Sequence, residues 1–208
     1  MSGLFITMEG PDGAGKSTQI EKLKDYLSNK GYDIILCREP GGTVISEAIR
    51  NVILNREFTE MGHMTELLLY ASARAQLVHE VIRPALLEDK IVICDRFVDS
   101  SAVYQGIARG MGTELVYEVN RYAIGDTIPD VTILLDITGK DGISRKKKQA
   151  QLDRMEMEAS SFHEKVSSGY RMLAKEHPDR IHTIDGTQTI DAIHDQIKVI
   201  VDAILNTK

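Results

Sequence analysis

Leu4-Phe5-Ile6-Thr7-Met8-Glu9-Gly10-Pro11-Asp12-Gly13-Ala14-Gly15-Lys16-Ser17-Thr18 runs from a short apolar stretch into the pattern G-x-x-x-x-G-K-[ST]. Ile20, Leu23 and Leu27 follow at i, i+3 and i+7, so the segment reads as strand, glycine-rich loop and amphipathic helix. A phosphate-binding loop has that order. Its glycines let consecutive backbone N–H groups turn inward on phosphate oxygens, Lys16 reaches the β and γ phosphates, and the Ser17 hydroxyl can ligate Mg²⁺. The start of the helix adds free N–H groups and the positive end of its dipole. Gly10, Pro11, Asp12, Gly13, Ala14, Gly15, Lys16, Ser17 and Thr18 are therefore the candidate ATP phosphate-binding residues. A glycine-rich turn that binds nothing is the plainer alternative, and the strand and helix on either side argue against it.

Outward from this loop, apolar and β-branched runs recur at 34–37, 91–94, 131–136 and 181–184, joining 4–8. Helical spacings occupy 17–29, 44–54, 64–87, 114–124, 156–175 and 189–205, with an irregularity expected at Pro84. Strands apolar on both faces and separated by helices predict an α/β fold of the P-loop NTPase type: a five-stranded parallel sheet with helices on both faces. Ligands of such sheets bind at the carboxyl ends of the strands. No repeat, low-complexity tract or Pro/Ser-rich linker interrupts the chain, so residues 1–208 read as a single domain.

At 208 residues and 42% hydrophobic content there is material for a substantial core. The net charge of -6 argues against general nucleic-acid or membrane-surface binding, which needs a basic excess. Cys37 and Cys94 lie in apolar strand patterns and nothing resembles C-x-x-C, so two free thiols and a reducing compartment are expected. No leader pattern and no apolar run of membrane-spanning length is present, which reads as a soluble, cytoplasmic chain.

Ile91-Val92-Ile93-Cys94-Asp95 is an apolar strand ending in a carboxylate, directly followed by Arg96. An acid on the metal side and a cation on the phosphate side within one turn is the pairing phosphoryl transfer uses, so Asp95 joins Ser17 as a candidate Mg²⁺ ligand. Residues 132–136 spell the same strand-plus-acid pattern at Asp136. That residue has no cation beside it in sequence and reads more simply as a cap or turn.

Arg38-Glu39-Pro40-Gly41-Gly42, Asp95-Arg96-Phe97, Asp99-Ser100-Ser101, Tyr104-Gln105-Gly106 and Leu152-Asp153-Arg154 with Glu156, in this order after the phosphate loop, resemble the bacterial thymidylate kinases nearly end to end. The resemblance implies a nucleoside monophosphate kinase that moves the ATP γ-phosphate to dTMP with Mg²⁺, in dTTP biosynthesis, as a homodimer with a small mobile lid at about 140–154. By position it implies that Tyr70 stacks on thymine and Arg74 bonds its carbonyl edge. Spacing supports the pair, because residues four apart share a helix face. The resemblance also implies that Ser100, Ser101 and Gln105 lie near the nucleotide, that Tyr104 crowds the sugar 2′ position, and that Asp12 contacts the 3′-hydroxyl or the metal region. Arg38, Arg50 and Arg96 fall around the acceptor phosphate, where planar guanidinium forks suit its oxygens, and Glu39 of the Arg38-Glu39-Pro40 motif joins the dTMP-binding set.

Arg145-Lys146-Lys147-Lys148 is the one dense cationic run of an acidic chain. Such runs are ordinarily solvated faces. In this family, enzymes without an arginine in the phosphate loop take a transition-state cation from the lid, and Gly13 occupies the loop arginine's place. Lys16, Arg96, Arg145 and Arg154 are accordingly the candidate catalytic cations, with Lys147 behind them. A Gly13→Arg substitution is expected to return a loop cation. Lys147 and Gln149 stand where arginines are usual, a departure that leaves the identity of the lid cation open. Among rival readings, an adenylate kinase favours glycine after the lysine, where this chain has Ser17. A switch GTPase needs N-K-x-D, and Asn29-Lys30-Gly31-Tyr32-Asp33 carries one residue too many. Zinc hydrolysis lacks H-E-x-x-H among the six histidines.

Overall fold

Leu4, Ile6 and Met8 face one side of the first strand, Phe5 and Thr7 face the other, and all five are buried. A strand apolar on both sides belongs in the middle of a covered sheet, and β1 (Leu4–Glu9) sits there. The computed structural model describes residues 3–147 and 153–207, without the side chains at 143 and 145–147. Around β1 stand β2 (Ile34–Arg38), β3 (Ile91–Asp95), β4 (Val131–Asp136) and β5 (Ile181–Asp185), all parallel, in the order β2-β3-β1-β4-β5.

Leu4, Ile6, Ile93 and Ile133 pack against α1 (Lys16–Asn29) through Ile20, Leu23 and Leu27, and against α9 (Ile190–Leu205) through Ile193, Ile197 and Val201. On the opposite face Phe5, Val92 and Cys94 meet α3 (His63–Leu77) and α4 (Arg83–Leu87) through Leu77 and Leu86. Leu134 and Ile181 meet α8 (Ser160–Glu176) through Val166, Tyr170 and Leu173. Each fully buried Leu or Ile of these layers contributes about 1.5–3 kcal/mol by transfer. Thr7 and Thr132 are the polar exceptions, and their hydroxyls bond each other at 2.7 Å.

The five expected strands and the expected layering are present, each strand within one residue of its predicted limits. Four elements differ. Helix 64–87 breaks before the proline: a π-helical turn at Val78–Ile82 separates α3 from α4. Pro84 has no N–H for the carbonyl of Glu80 and its ring crowds that carbonyl, so the wider turn relieves the clash one turn upstream. Helix α8 starts at Ser160, four residues after the expected 156, because Asp153 and Glu156 form their own turn. The backbone N–H of Asp153 donates to Glu156 Oε2, and Asp153 Oδ1 accepts from Met155 and Glu156 N–H, each at 2.9 Å. Two helices were not anticipated. Helix α5 (Val98–Ser101) runs into a π-helical stretch, Ala102–Ala108, and α7 (Gly139–Lys147) falls in the expected lid. Both are short and carry site or polar residues where a helix would show its stripe. The lid positions 148–152, with Lys148 and Gln149, lie outside the described residues. The remaining helices are α2 (Val44–Leu54) and α6 (Thr113–Ile124).

Register brings the strand ends together. Met8 pairs with Asp95 and Arg38 pairs with Asp95, so Glu9, Arg38 and Asp95 emerge side by side at the carboxyl edge.

Candidate active site

Gly13 and Gly15 take φ of 76° and 93°, and the left-handed turns they permit bring the chain from β1 to the first turn of α1. Gly15 has no side chain with which to cap that turn, so its N–H groups face the loop's concavity. Lys16 Nζ folds back over the loop and donates to the carbonyls of Gly10 and Pro11 at 3.0 and 3.1 Å. Burial, and then the charge of Arg96, lowers the Lys16 ammonium to about 8, so a bound anion would find a cation short of counter-charge. Gly13 also touches α7. A Cβ there would stand 2.3 Å from the carbonyl oxygen of Gly142, and one on Gly142 would stand 2.2 Å from that of Asp12. Loop and helix meet backbone to backbone.

At the end of β3, Arg96 holds an unusual φ of 72° and turns its guanidinium across the loop. Its Nη2 donates to Asp12 Oδ1 at 2.8 Å, its Nη1 to Ser100 Oγ at 3.1 Å and to the Tyr170 hydroxyl at 2.9 Å, and its plane lies over the Tyr104 ring. Tyr104 itself donates to Asp12 Oδ2 at 3.2 Å. Behind them Glu9, with burial pushing its carboxyl up, accepts from Phe97 N–H, Ser100 and Tyr170. Asp95 Oδ1 is buried and finds no hydrogen-bond partner among the described residues. An orphaned carboxylate oxygen in the same cavity as the Ser17 hydroxyl fits a hard divalent cation, which takes one or two protein oxygens and completes its shell with water and phosphate.

The other end of the cavity is built from β2 and α3. Arg38 and Arg50 both donate to the carbonyl of Pro40, at 2.8 and 2.7 Å, beyond a cis Glu39-Pro40 bond, and Glu47 holds Arg38 in a two-point ion pair. Two guanidinium groups thus converge where burial and each other's charge already lower Arg50. Arg74 is 1% exposed and its five N–H groups are all engaged: Nε and Nη2 with Glu39, Nη1 with Ser101 and Asn120, and Nη2 also with the carbonyl of Phe97. Burial, outweighing Arg74, pushes Glu39 up to about 7. Tyr70 is half-buried, one helical turn before Arg74, with burial pushing its hydroxyl up. Gln105 Nε2 is tied to Glu66 at 3.0 Å.

One cavity of about 320 Å³ joins these ends. Asp12 to Thr18, Arg38, Glu39, Arg50, Tyr70, Arg74, Asp95, Arg96, Ser100, Ser101, Tyr104 and Gln105 all line it. Gly10 and Pro11 lie beneath, offering the carbonyls that hold Lys16. Arg154 does not line the cavity, although its neighbours Asp153, Met155 and Glu156 do. Its Nε donates to the carbonyl of Ile53 at 2.7 Å and its Nη2 lies 2.7 Å from Glu66, a buried carboxylate that no sequence spacing connects to it. Arg145 falls within α7, and its side chain is outside the described residues. Asp136 does have a cation, Arg171 of α8, at 2.8 and 3.0 Å, supplied from 35 residues away. Sequence reasoning missed Glu9, Asn120, Tyr170 and the cavity face of Asp153. Glu9 left a signal as an acid ending an apolar strand, and Asp153 as a member of the Leu152-Asp153-Arg154 motif. Asn120 and Tyr170 reach the site from helices whose sequence resembles ordinary surface.

A family model described as thymidylate kinase matches residues 8–197. The chain belongs to the thymidylate kinase family. It is 50% identical over 195 residues to a thymidylate kinase of Geobacillus sp. (strain WCH70), covering 93% of each chain. Over 207 residues it is 48% identical to that of Bacillus velezensis, covering 98% of each. A crystal structure of thymidylate kinase from Ehrlichia chaffeensis superposes with a TM-score of 0.79 at 32% identity, over 97% of this chain and 99% of that one. Membership makes the chain a phosphotransferase, and the fold expected from the phosphate loop is the family's. No helix among the described residues is long and apolar enough to cross a membrane.

Proposed function

We propose that the cavity holds ATP phosphates at the Lys16 end and dTMP at the Tyr70 end, and that the chain passes the γ-phosphoryl group between them to give dTDP and ADP. The observation that carries this is a single cavity lined together by a phosphate loop, a half-buried aromatic ring and the three arginines Arg38, Arg50 and Arg96. An acceptor phosphate is already an anionic nucleophile near neutral pH, so no strong general base is needed and catalysis is positioning plus electrostatics. Arg38 and Arg50 fix the acceptor phosphate, while Lys16 and Arg96 stand between the two phosphates and offset the charge that spreads over the transferring group. Ser17 and Asp95 would hold Mg²⁺, which neutralises phosphate charge when bound. Tyr70 supplies a stacking face. Arg74, with every donor engaged, contributes a fixed positive wall that a pyrimidine carbonyl can share. Tyr104, pinned beneath Arg96, crowds the sugar.

The chain is further proposed to work in the cytoplasm as a homodimer. Helix α3 packs on α2 and on α6, and the three leave Val52, Leu68 and Tyr122 exposed by 40%, 49% and 80%, apolar surface suited to a second copy. A coupled ADP-release assay across the common nucleoside monophosphates tests the substrate. The highest kcat/KM is expected with dTMP, and highest activity with AMP or an unphosphorylated nucleoside rejects the assignment.

A further inference from the structure

Three of the five N–H groups of Arg96 are committed to the protein, and two of those three go to hydroxyls that a buried carboxylate has already turned. Tyr170 donates to Glu9 Oε2 at 2.8 Å, and Ser100 donates to the same oxygen at 2.6 Å. With their hydrogens spent on Glu9, both oxygens present lone pairs, and Arg96 Nη1 donates one hydrogen to each. Asp12 takes a hydrogen of Nη2. The Nε–H and the other Nη2–H remain without a partner among the described residues, on the edge of the guanidinium that makes two-point contacts with phosphate. Tyr170 comes from α8, the helix after the expected lid, and is 2% exposed; Phe162 of the same helix packs edge-on against Tyr104.

We infer that Tyr170 is a positioning residue for the acceptor phosphate: its hydroxyl, oriented by Glu9, fixes the plane of Arg96 so that the Nε/Nη2 edge faces the phosphate. This rests on the reading that Arg96 binds that phosphate. A guanidinium held on three donors loses little freedom when the phosphate arrives, whereas one released from Tyr170 must be ordered by the ligand itself.

The test is calorimetric binding of dTMP and of thymidine to wild type, Tyr170→Phe, Arg96→Met and the double variant, each as full chain. The ratio of the thymidine Kd to the dTMP Kd isolates the phosphate. Tyr170→Phe keeps the buried ring, and Glu9 keeps Ser100 and the Phe97 N–H, so the fold is retained. The expected result is a ratio reduced about 10-fold in Tyr170→Phe with thymidine affinity unchanged, and no further reduction when Tyr170→Phe is added to Arg96→Met. Equal weakening of both ligands, an unchanged ratio, or the same reduction in the Arg96→Met background overturns the inference and makes Tyr170 merely structural. If Arg96→Met itself leaves the ratio at its wild-type value, the placement of Arg96 on the phosphate fails first, and the inference with it.

Discussion

Lys16 shows how one side chain can serve the reaction against the fold. Its ammonium is lowered from 10.5 to about 8 chiefly by burial, so the folded chain favours the neutral amine. A depressed base gives stability that is full above 10.5 and is lost as pH falls through about 8. Near neutral pH Lys16 is therefore a cost, and Lys16→Met is expected to melt higher than wild type at about pH 7 while its kcat falls about 10³-fold. Near-normal turnover with a native circular dichroism spectrum would contradict the assignment. Nucleotide phosphate restores the charge, so ATP binding at about pH 9 is expected to take up protons and at about pH 6.5 far fewer. Calorimetry in two buffers of different ionisation enthalpy reads this directly. Uptake that persists in Lys16→Met assigns the proton to another group.

Between elements, the contact of the phosphate loop with α7 reverses one expectation. Gly13 is where the resemblance leads us to expect that an arginine could return a loop cation, yet its φ of 76° and the Gly142 carbonyl, 2.3 Å from any Cβ, leave no room for a side chain while α7 is seated. Gly13→Arg is thus expected to displace α7 before it can supply a charge. Gly13→Ala separates the two effects: strain of about 1–3 kcal/mol is expected to lower kcat/KM for ATP about 10-fold or more with no change of charge. A Gly13→Arg enzyme faster than Gly13→Ala and wild type would show that α7 yields. Arg154 belongs to the same scale, since it ties the turn before α8 to Ile53 of α2 and to buried Glu66. Arg154→Met leaves Glu66 with Arg109 and Gln105, so a loss of about 1–3 kcal/mol, several degrees in Tm, is expected with a much smaller effect on kcat. A large fall in kcat at unchanged Tm would return Arg154 to the transferring phosphate.

Across the whole molecule, the exposed apolar surface of α2, α3 and α6 predicts a sedimenting mass twice 23.2 kDa, and Leu68→Glu is expected to halve it by placing a charge in an apolar contact. A wild-type monomer at micromolar concentration rejects the dimer. The strands, their parallel arrangement and the phosphate loop are legible along the chain because each is a local pattern: apolar runs covered on both faces, glycines where φ must be positive, a helix whose stripe begins at Ile20. The motif residues at strand ends are legible for the same reason, since the carboxyl edge of a parallel sheet gathers them whatever the loops do. What needed the tertiary structure is which partner each charged group takes. Arg154 with Glu66, Arg171 with Asp136, Arg74 with Asn120 and Tyr170 with Glu9 join residues 35 to 161 positions apart. A cation's sequence neighbours do not say whether it faces phosphate or another helix. Burial decides that, because a desolvated charge takes the nearest fixed partner, and which partner is nearest is set only when the helices have packed.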